Sequence, residues 1–175
     1  MSAESVLQGE HDVNLGCFQV DGCCYGLDVA RIREVVRWEP VTPLPKAPAL
    51  IEGVIDLRGA VIPVIDLGRL LADKPTEATN QARTVILDID GLVVGLCVEA
   101  ATDVLSLDVA DLEDVPDLAA HTGYEAVRHV IRRSGEAPVM MLSLEHIVES
   151  VYRSALSPHH GQPGQEAHEV RGDEG

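Results

Sequence analysis

Aromatic residues are scarce in this chain: phenylalanine and tryptophan occur once each and tyrosine three times, which together make up 3% of the 175 residues. A hydrophobic core must therefore be mainly aliphatic, and the hydrophobic content of 46% is sufficient for one. A chain of this length predicts one domain, or two small domains that pack closely together.

Basic residues are also few, because 13 Lys and Arg stand against 29 Asp and Glu, for a net charge of −16. This balance argues against a nucleic-acid partner, whose phosphates require Lys and Arg. It also argues against direct binding to anionic lipid. Solubility is the simplest explanation of the acidic surface.

No apolar run approaches the roughly 20 residues of a membrane-spanning helix. Residues 1–10 lack the basic start and apolar core of a signal peptide. We therefore expect a cytoplasmic protein without membrane insertion. The cysteines, Cys17, Cys23, Cys24 and Cys97, fit a reducing compartment and match no zinc-binding spacing. They are predicted to be packing residues.

Catalytic motifs are absent as well: the sequence contains no GxGxxG, GxxxxGK[ST], GxSxG or HExxH pattern. The acidic segment 103–117 lacks the alternating ligands and central glycine of an EF-hand loop. His121, His129 and His146 are scattered and are interpreted as structural or exposed residues. The sequence thus predicts no catalytic residue, no metal site and no cofactor, and hence a protein that is not an enzyme.

An internal repeat is the strongest pattern that is present. Residues 18–27 and 87–96 both contain Asp-Gly followed, after three residues, by Gly-Leu. Asp-Gly between alternating apolar runs predicts a two-residue hairpin turn, in which both turn residues have positive φ. Further along, Glu34-Val35-Val36 aligns with Asp103-Val104-Leu105, so the chain is predicted to be a duplication.

Each copy is predicted to contain a hairpin, three further strands and a short helix, so the fold class is all-β with a few short helices. A helical turn from Val29 to about Arg33 precedes the third strand, and Asp66 and Ser143 are predicted N-caps. Five short strands per copy predict two small barrels. Because each barrel is too small to be stable alone, the two should share a core.

The connecting segments are polar or rich in proline. Residues 39–48 contain four prolines and predict an extended crossing, residues 72–82 a polar linker, and residues 108–123 an acidic loop or short helix.

The ends of the chain have no apolar periodicity. Residues 1–12 and 153–175 are predicted to be disordered, which leaves one domain of two barrel subdomains at residues 13–152.

The segment 53–67 reads as two apolar strands joined by a tight Arg58-Gly59 corner. Pro63 lies in the middle of the second strand, and proline donates no backbone hydrogen bond. An edge strand or a bulge is therefore expected there.

Arg58 is unexpected between a hydrophobic strand and a glycine. It can be an exposed turn residue whose stem covers apolar surface. It can instead pair internally with Glu34, Asp56 or Asp66. The third possibility is a bidentate contact with a partner protein.

Several blocks of the sequence resemble the CheW-like chemotaxis coupling proteins, in their order as well as in their residues. The resemblance covers roughly residues 14–150. The blocks are Gly26-Leu-Asp-Val, Glu34-Val-Val, Thr42-Pro-Leu-Pro, the whole of 53–67, Gly95-Leu-Cys-Val-Glu and Asp103-Val-Leu-Ser-Leu.

This resemblance implies two intertwined five-stranded SH3-like β-barrels around a shared core. It implies a non-catalytic adaptor in the cytoplasm, recruited to membrane-associated receptor arrays. The implied partners are the cytoplasmic tip of methyl-accepting chemoreceptors and the regulatory domain of a CheA-type histidine kinase, which pairs with the adaptor barrel against barrel. Some relatives serve pili, biofilm or second-messenger pathways, so a scaffold outside motility is the alternative.

The resemblance also implies which residues bind partners, and it places the receptor tip in the groove between the barrels, near Arg58 and the segment around Ala101. The implied partner-binding residues are Val29, Ile32, Glu34, Val35, Val36, Arg58 and Ala101. The implied structural positions are Gly53, Gly59, Pro63, Asp66 and Gly95. Core packing of Val29 and Ile32, and an internal salt bridge of Glu34, remain open alternatives.

Overall fold

The computed structural model describes residues 12–116 and 124–156. His121 and nearly all of the two terminal segments that were predicted to be disordered lie outside the described residues. At the borders, Asp12 begins the first strand and the last helix continues to Leu156, beyond the predicted domain end at residue 152.

The order of elements confirms the predicted hairpin, strands and closing helix of each half. The elements of the first half are β1 (Asp12–Val20), β2 (Cys23–Asp28), a 3-10 turn (Val29–Arg31), β3 (Ile32–Arg37), β4 (Ile51–Leu57), β5 (Ala60–Asp66) and α1 (Leu67–Ala72). Those of the second half are β6 (Arg83–Ile89), β7 (Leu92–Val98), β8 (Ala100–Asp108), a 3-10 turn (Val109–Asp111), β9 (Glu113–Asp114), a 3-10 turn (Tyr124–Ala126), β10 (Val127–Ile131), β11 (Val139–Leu142) and α2 (Leu144–Leu156).

Three tight hairpin turns share one backbone conformation. Both turn residues have positive φ in Asp21-Gly22 (49° and 74°), Arg58-Gly59 (51° and 84°) and Asp90-Gly91 (52° and 92°). This conformation matches the right-handed twist of the flanking strands. The two predicted Asp-Gly hairpins are confirmed, and the Arg58-Gly59 corner is a third turn of the same kind.

The two halves exchange their hairpins. The first sheet has the strand order β8-β1-β2-β11-β10-β9, and the second has the order β3-β6-β7-β5-β4. The β1–β2 hairpin of the first half thus pairs with strands of the second half, and the β6–β7 hairpin pairs with strands of the first half. Neither sheet can form from one half alone.

The strand registers repeat between the two sheets. In both, the edge strand carries one more residue than its partner between two matched pairs, which is a β-bulge. The matched pairs are Gly16–Val104 and Phe18–Ala101 in the first sheet, and Val85–Val35 and Leu87–Ile32 in the second. The duplication has therefore preserved the bulge as well as the strands.

One hydrophobic core joins the sheets, as predicted. It contains buried residues of both exchanged hairpins, of β5 and β11 and of the two helices, including Phe18, Val20, Tyr25, Leu27, Ile65, Leu67, Val85, Leu87, Val94, Leu96, Val98, Leu142, Leu144 and Ile147. A smaller cluster, formed by Leu15, Cys17, Leu107, Ile131 and Val139, lies within the first sheet. Full burial of such side chains contributes about 1.5–3 kcal/mol each.

Of the two alternatives expected at Pro63, an edge strand or a bulge, the edge strand is wrong. β5 lies inside the second sheet, between β4 and β7. Pairing with β7 begins only at Val64, so Pro63 precedes the ladder that its missing N–H would interrupt. The irregularity nearby is in β4, where the register shifts between Ile51 and Gly53.

Two connecting segments, the acidic segment and the proline-rich crossing, differ in part from their predicted structures. The acidic segment contains the short strand β9, so the first sheet has six strands among the described residues instead of the expected five. The proline-rich crossing is extended only in part, because it turns at Pro45-Lys46, where Lys46 has a φ of 57° and the backbone N–H of Ala47 donates to the Leu44 carbonyl. Earlier in the crossing, Thr42 and Val54 exchange two backbone hydrogen bonds of 2.8 and 2.9 Å. A Cβ at Gly53 would collide with the Thr42 carbonyl, which explains the glycine there.

The cysteines divide by burial. Cys17 and Cys97 are buried and Cys24 is half-buried, which fits the predicted packing role, but Cys23 is exposed and that part of the prediction is wrong. Burial raises the pKa of Cys17 to about 11. Burial, with a further contribution from Asp66, raises the pKa of Cys97 to about 12.

Candidate partner-docking site

An apolar groove of about 450 Å³ lies between the two sheets, where the edge strands β3 and β8 face each other. We call it the inter-sheet groove. Phe18 and Val85 are its buried floor. Its full lining is Gly16, Cys17, Phe18, Val29, Ile32, Val35, Val85, Ala101, Thr102, Asp103 and Val104.

Four of the partner-binding residues implied by the resemblance meet in this groove: Val29, Ile32, Val35 and Ala101. The bulge in β3 brings two of them together, because it places Ile32 and Val35 on the same face although they are three positions apart. The exposed fractions are 37% for Val29 and 45% for Val35. Exposed aliphatic side chains in one depression indicate an interaction site.

Ile32 also packs against the shared core. A Cβ at Gly16 would come within 2.6 Å of the Cδ1 atom of Ile32, so the glycine makes room for this side chain. The core-packing alternative for Ile32 is thus correct in part, while Val29 lies at the groove without being buried.

Arg58 and Glu34 lie in a different depression, of about 550 Å³, which we call the Arg58 depression. The Arg58 Nη2 atom donates to the Glu34 Oε1 atom in an ion pair, and the Arg58 side chain remains 70% exposed. Asp56, another candidate partner, instead accepts a hydrogen bond of 2.8 Å from the backbone N–H of Gly59. The lining is Arg33, Glu34, Leu57, Arg58, Ala60, Val61, Ile62, Ile86 and Val93.

The expected single contact region therefore needs correction. Arg58 and Ala101 were expected beside one groove, whereas they line two depressions that share no lining residue. Adjacent residues of a strand point to opposite faces, so Glu34 and Val35 serve different depressions. Val36 is half-buried and is part of neither lining.

Asp66, the third candidate partner of Arg58, is buried and makes its hydrogen bonds within the fold. It is 3% exposed and caps α1 by accepting hydrogen bonds from the backbone N–H of Gly68 at 2.8 Å and of Arg69 at 3.3 Å. It also accepts a 2.6 Å hydrogen bond from the Thr76 hydroxyl, which ties the linker to α1. The predicted cap at Ser143 is also confirmed, since its hydroxyl accepts from the backbone N–H of His146 at 3.3 Å.

Gly59 and Gly95, two of the implied structural positions, require glycine for different reasons. Gly59 adopts the left-handed conformation of the hairpin turn. Gly95 lies where a Cβ would come within 2.8 Å of the Thr84 side chain.

Residues 12–116 and 124–156 contain no group of three or more His, Cys, Asp or Glu side chains that could hold a metal ion. Within the same ranges, no helix has the length and apolar character to cross a membrane.

The sequence alone missed several groove residues. Val104 could have been found, because the repeat aligns it with Val35, and it is 67% exposed in the same groove. Phe18 and Val85 could not, since their place in the groove follows from the exchange of hairpins. Thr102 and Asp103 come there through the bulge of β8.

Known proteins match this chain over nearly all of its described part. The family model described as the CheW-like domain matches residues 14–152. The chemotaxis protein CheW of Rhizobium meliloti (strain 1021) is 33% identical over 138 residues, which cover 79% of this chain and 88% of that protein. The chemotaxis protein CheW of Thermotoga maritima is 28% identical over 134 residues, or 77% of this chain and 86% of that protein.

A solved structure agrees with the fold. The scaffolding protein TtCheW from Thermoanaerobacter tengcongensis superposes with a TM-score of 0.69 at 28% identity, covering 80% of this chain and 90% of that one. The predicted pair of SH3-like β-barrels is thereby confirmed. The chain belongs to the CheW-like family.

Proposed function

We propose that this protein is a non-catalytic adaptor that couples methyl-accepting chemoreceptors to a CheA-type histidine kinase. The observation that carries the proposal is the inter-sheet groove, an open apolar depression whose walls come from both halves of the duplication. In our proposal the cytoplasmic tip of a receptor docks there, and the adaptor is recruited from the cytoplasm to the membrane-associated receptor array.

The groove suits a helix better than a strand. Both of its walls are edge strands, which would offer free backbone groups to an added strand. However, β3 and β8 each carry a bulge within the groove, and bulges disrupt the regular ladder that strand addition needs. Docking then depends on apolar side chains, as when an amphipathic helix lies in a groove.

The Arg58 depression is proposed as a second contact surface. Glu34 engages one nitrogen of the guanidinium, and the rest of the largely exposed group can bind a carboxylate or carbonyl of a partner. Val61 beside it is 69% exposed and adds apolar area. Because this surface is separate from the groove, the adaptor can bind receptor and kinase at the same time. In an array, many such weak contacts strengthen the assembly through avidity.

The test uses one substitution on each surface and a matched control. Val35→Asp introduces a charge into the groove, and Arg58→Glu reverses the charge in the Arg58 depression. Arg132→Glu is the control, because Arg132 is an exposed arginine that follows β10 and pairs with Glu113 of β9 at 3.0 Å. Binding is measured with a receptor signalling fragment and with the kinase regulatory domain from the same cell.

We expect Val35→Asp to weaken receptor binding at least tenfold, since a charge would be buried against apolar surface. We expect Arg58→Glu to keep the fold and to weaken binding of at least one partner. Arg132→Glu should bind both partners like the wild type. Wild-type affinity of both test variants for both partners would contradict the proposed function.

A further inference from the structure

One side of the inter-sheet groove is closed by a side chain that spans the two sheets. Ile32 of β3 is opposite Leu87 of β6, and residues that are directly opposite lie side by side on one face. A Cβ at Gly16 of β1 would come within 2.6 Å of the Ile32 Cδ1 atom. The Ile32 side chain therefore reaches from the second sheet to the first, and the buried Leu87 beside it is not part of the groove lining.

The second half has the sizes of these residues reversed. The alignment of the two copies places Ala101 at the position of Ile32, and Val85 at the position of Gly16. Ala101 is exposed, and its methyl group is too short to cross the groove as the Ile32 side chain does. Phe18, which is opposite Ala101 in the register, is part of the groove lining.

The short side chain leaves an opening that we call the Ala101 socket, bounded by Ala101, Phe18 and Val85. All three residues are apolar and line the groove, and Phe18 and Val85 form its buried floor. In protein interfaces, a large side chain that fills a pocket of this kind contributes more to binding than the contacts around it. The exposed Val35 and Val104 of the same groove supply surrounding contact area.

We propose that the docked helix inserts one large aliphatic or aromatic side chain into the Ala101 socket, in the place that Ile32 fills in the other half. The inference rests on the proposed function and adds to it the size of the residue by which the partner is recognised. Ala101 is the specificity-determining residue, because its small side chain keeps the socket open. A partner with a small or polar residue at this point leaves the apolar floor unfilled and binds more weakly.

The experiment fills the socket from within the adaptor. Ala101→Ile copies the residue of the other half, and Ala101→Val fills the socket to a smaller extent. Both variants should fold, since β-branched side chains are favoured in strands, and circular dichroism with urea unfolding checks this. Ala110→Ile is the matched control, because Ala110 is an exposed alanine of the 3-10 turn Val109–Asp111, outside the groove lining.

Binding of the full-length protein to the receptor signalling fragment is measured by isothermal titration calorimetry. We expect Ala101→Ile to weaken binding about tenfold, and Ala101→Val about threefold, in the order of their side-chain sizes. Ala110→Ile should stay within about twofold of the wild type, as expected for a surface substitution away from the interface.

The partner's side chain is identified by replacing each large apolar residue of the fragment's tip, one at a time, by alanine. Against the wild-type adaptor, one of these replacements should weaken binding about tenfold. The same replacement should have little effect against Ala101→Ile, because the isoleucine already occupies the socket. Such a departure from additivity is expected only of groups that meet in the complex.

The possible failures can be told apart. If the wild type does not bind the receptor fragment, the proposed function fails and this inference fails with it. If the wild type binds and folded Ala101→Ile binds within about twofold of it, the inference alone is overturned. The inference is also overturned if no alanine replacement in the fragment weakens binding to the wild type, an outcome that does not depend on the folding of any adaptor variant.

Discussion

The edge strands β3 and β8 occupy matching positions in the two halves, yet they have different surroundings. Both carry a bulge, an exposed valine and an acidic residue beside it. Glu34 of β3 pairs with Arg58 in a separate depression, whereas Asp103 of β8 forms no ion pair among the described residues. The duplication thus preserved the backbone, and differences in single side chains made two unlike surfaces from one strand pattern.

The helix caps differ in the same way. Asp66 and Ser143 hold the same position before their helices, but Asp66 also accepts from the backbone and hydroxyl of Thr76. Ser143 accepts from the backbone N–H of His146 and donates to Glu145. Both caps therefore begin a helix, and the first half uses its cap in addition to hold the linker.

The largest effect is expected from separating the halves. Because each sheet combines a hairpin of one half with strands of the other, residues 12–76 and 83–156 expressed alone should be unfolded. Mixed, they should form a 1:1 complex with the β-sheet spectrum of the intact protein. Circular dichroism and size-exclusion chromatography measure this, and a half that folds by itself would contradict the exchange of hairpins.

A second comparison concerns the caps. We expect Asp66→Ala to lower the free energy of unfolding by about 3 kcal/mol, because several buried or partly buried donors lose their shared acceptor. Ser143→Ala should lower it by about 1 kcal/mol, the usual cost of a lost cap. Urea unfolding measures both values. Equal losses would show that Asp66 does no more than an ordinary cap.

The smallest effect is expected in an experiment that compares the reactivity of the cysteine thiols by chemical labelling at pH 8. The thiolate is the reactive form, and burial raises the pKa of Cys17 to about 11 and of Cys97 to about 12, so both remain protonated thiols. Exposed Cys23 should be labelled first, and Cys17 and Cys97 only on unfolding. Mass spectrometry identifies the order, and early labelling of Cys97 would contradict the buried placement.

Local signals in the sequence predicted local structure well. Asp21-Gly22 and Asp90-Gly91 form the expected turns because Asp-Gly favours positive φ at both positions. Asp66 and Ser143 cap helices because their side chains accept from N–H groups two or three residues away. The alignment of the two halves extended these predictions to the strands of each copy, with the exception of β9.

Predictions that depended on contacts between distant residues were weaker. Pro63 suggested an edge, but the position of a strand in its sheet depends on pairing with β7, which belongs to the other half. Three carboxylates were plausible partners for Arg58, and only folding selects Glu34. The apolar wall formed by Ala101 and Val104 depends on the bulge of β8 and on its pairing with β1, and no local pattern in the sequence shows either.

The central claim, that a partner docks between β3 and β8, is tested most directly by methyl NMR of the valines during titration with the receptor signalling fragment. Val35 and Val104 lie on opposite walls of the groove, and Val109 is an exposed control outside its lining. We predict that the methyl signals of Val35 and Val104 shift together while those of Val109 stay unchanged. Saturable binding that leaves both Val35 and Val104 unshifted would contradict the account.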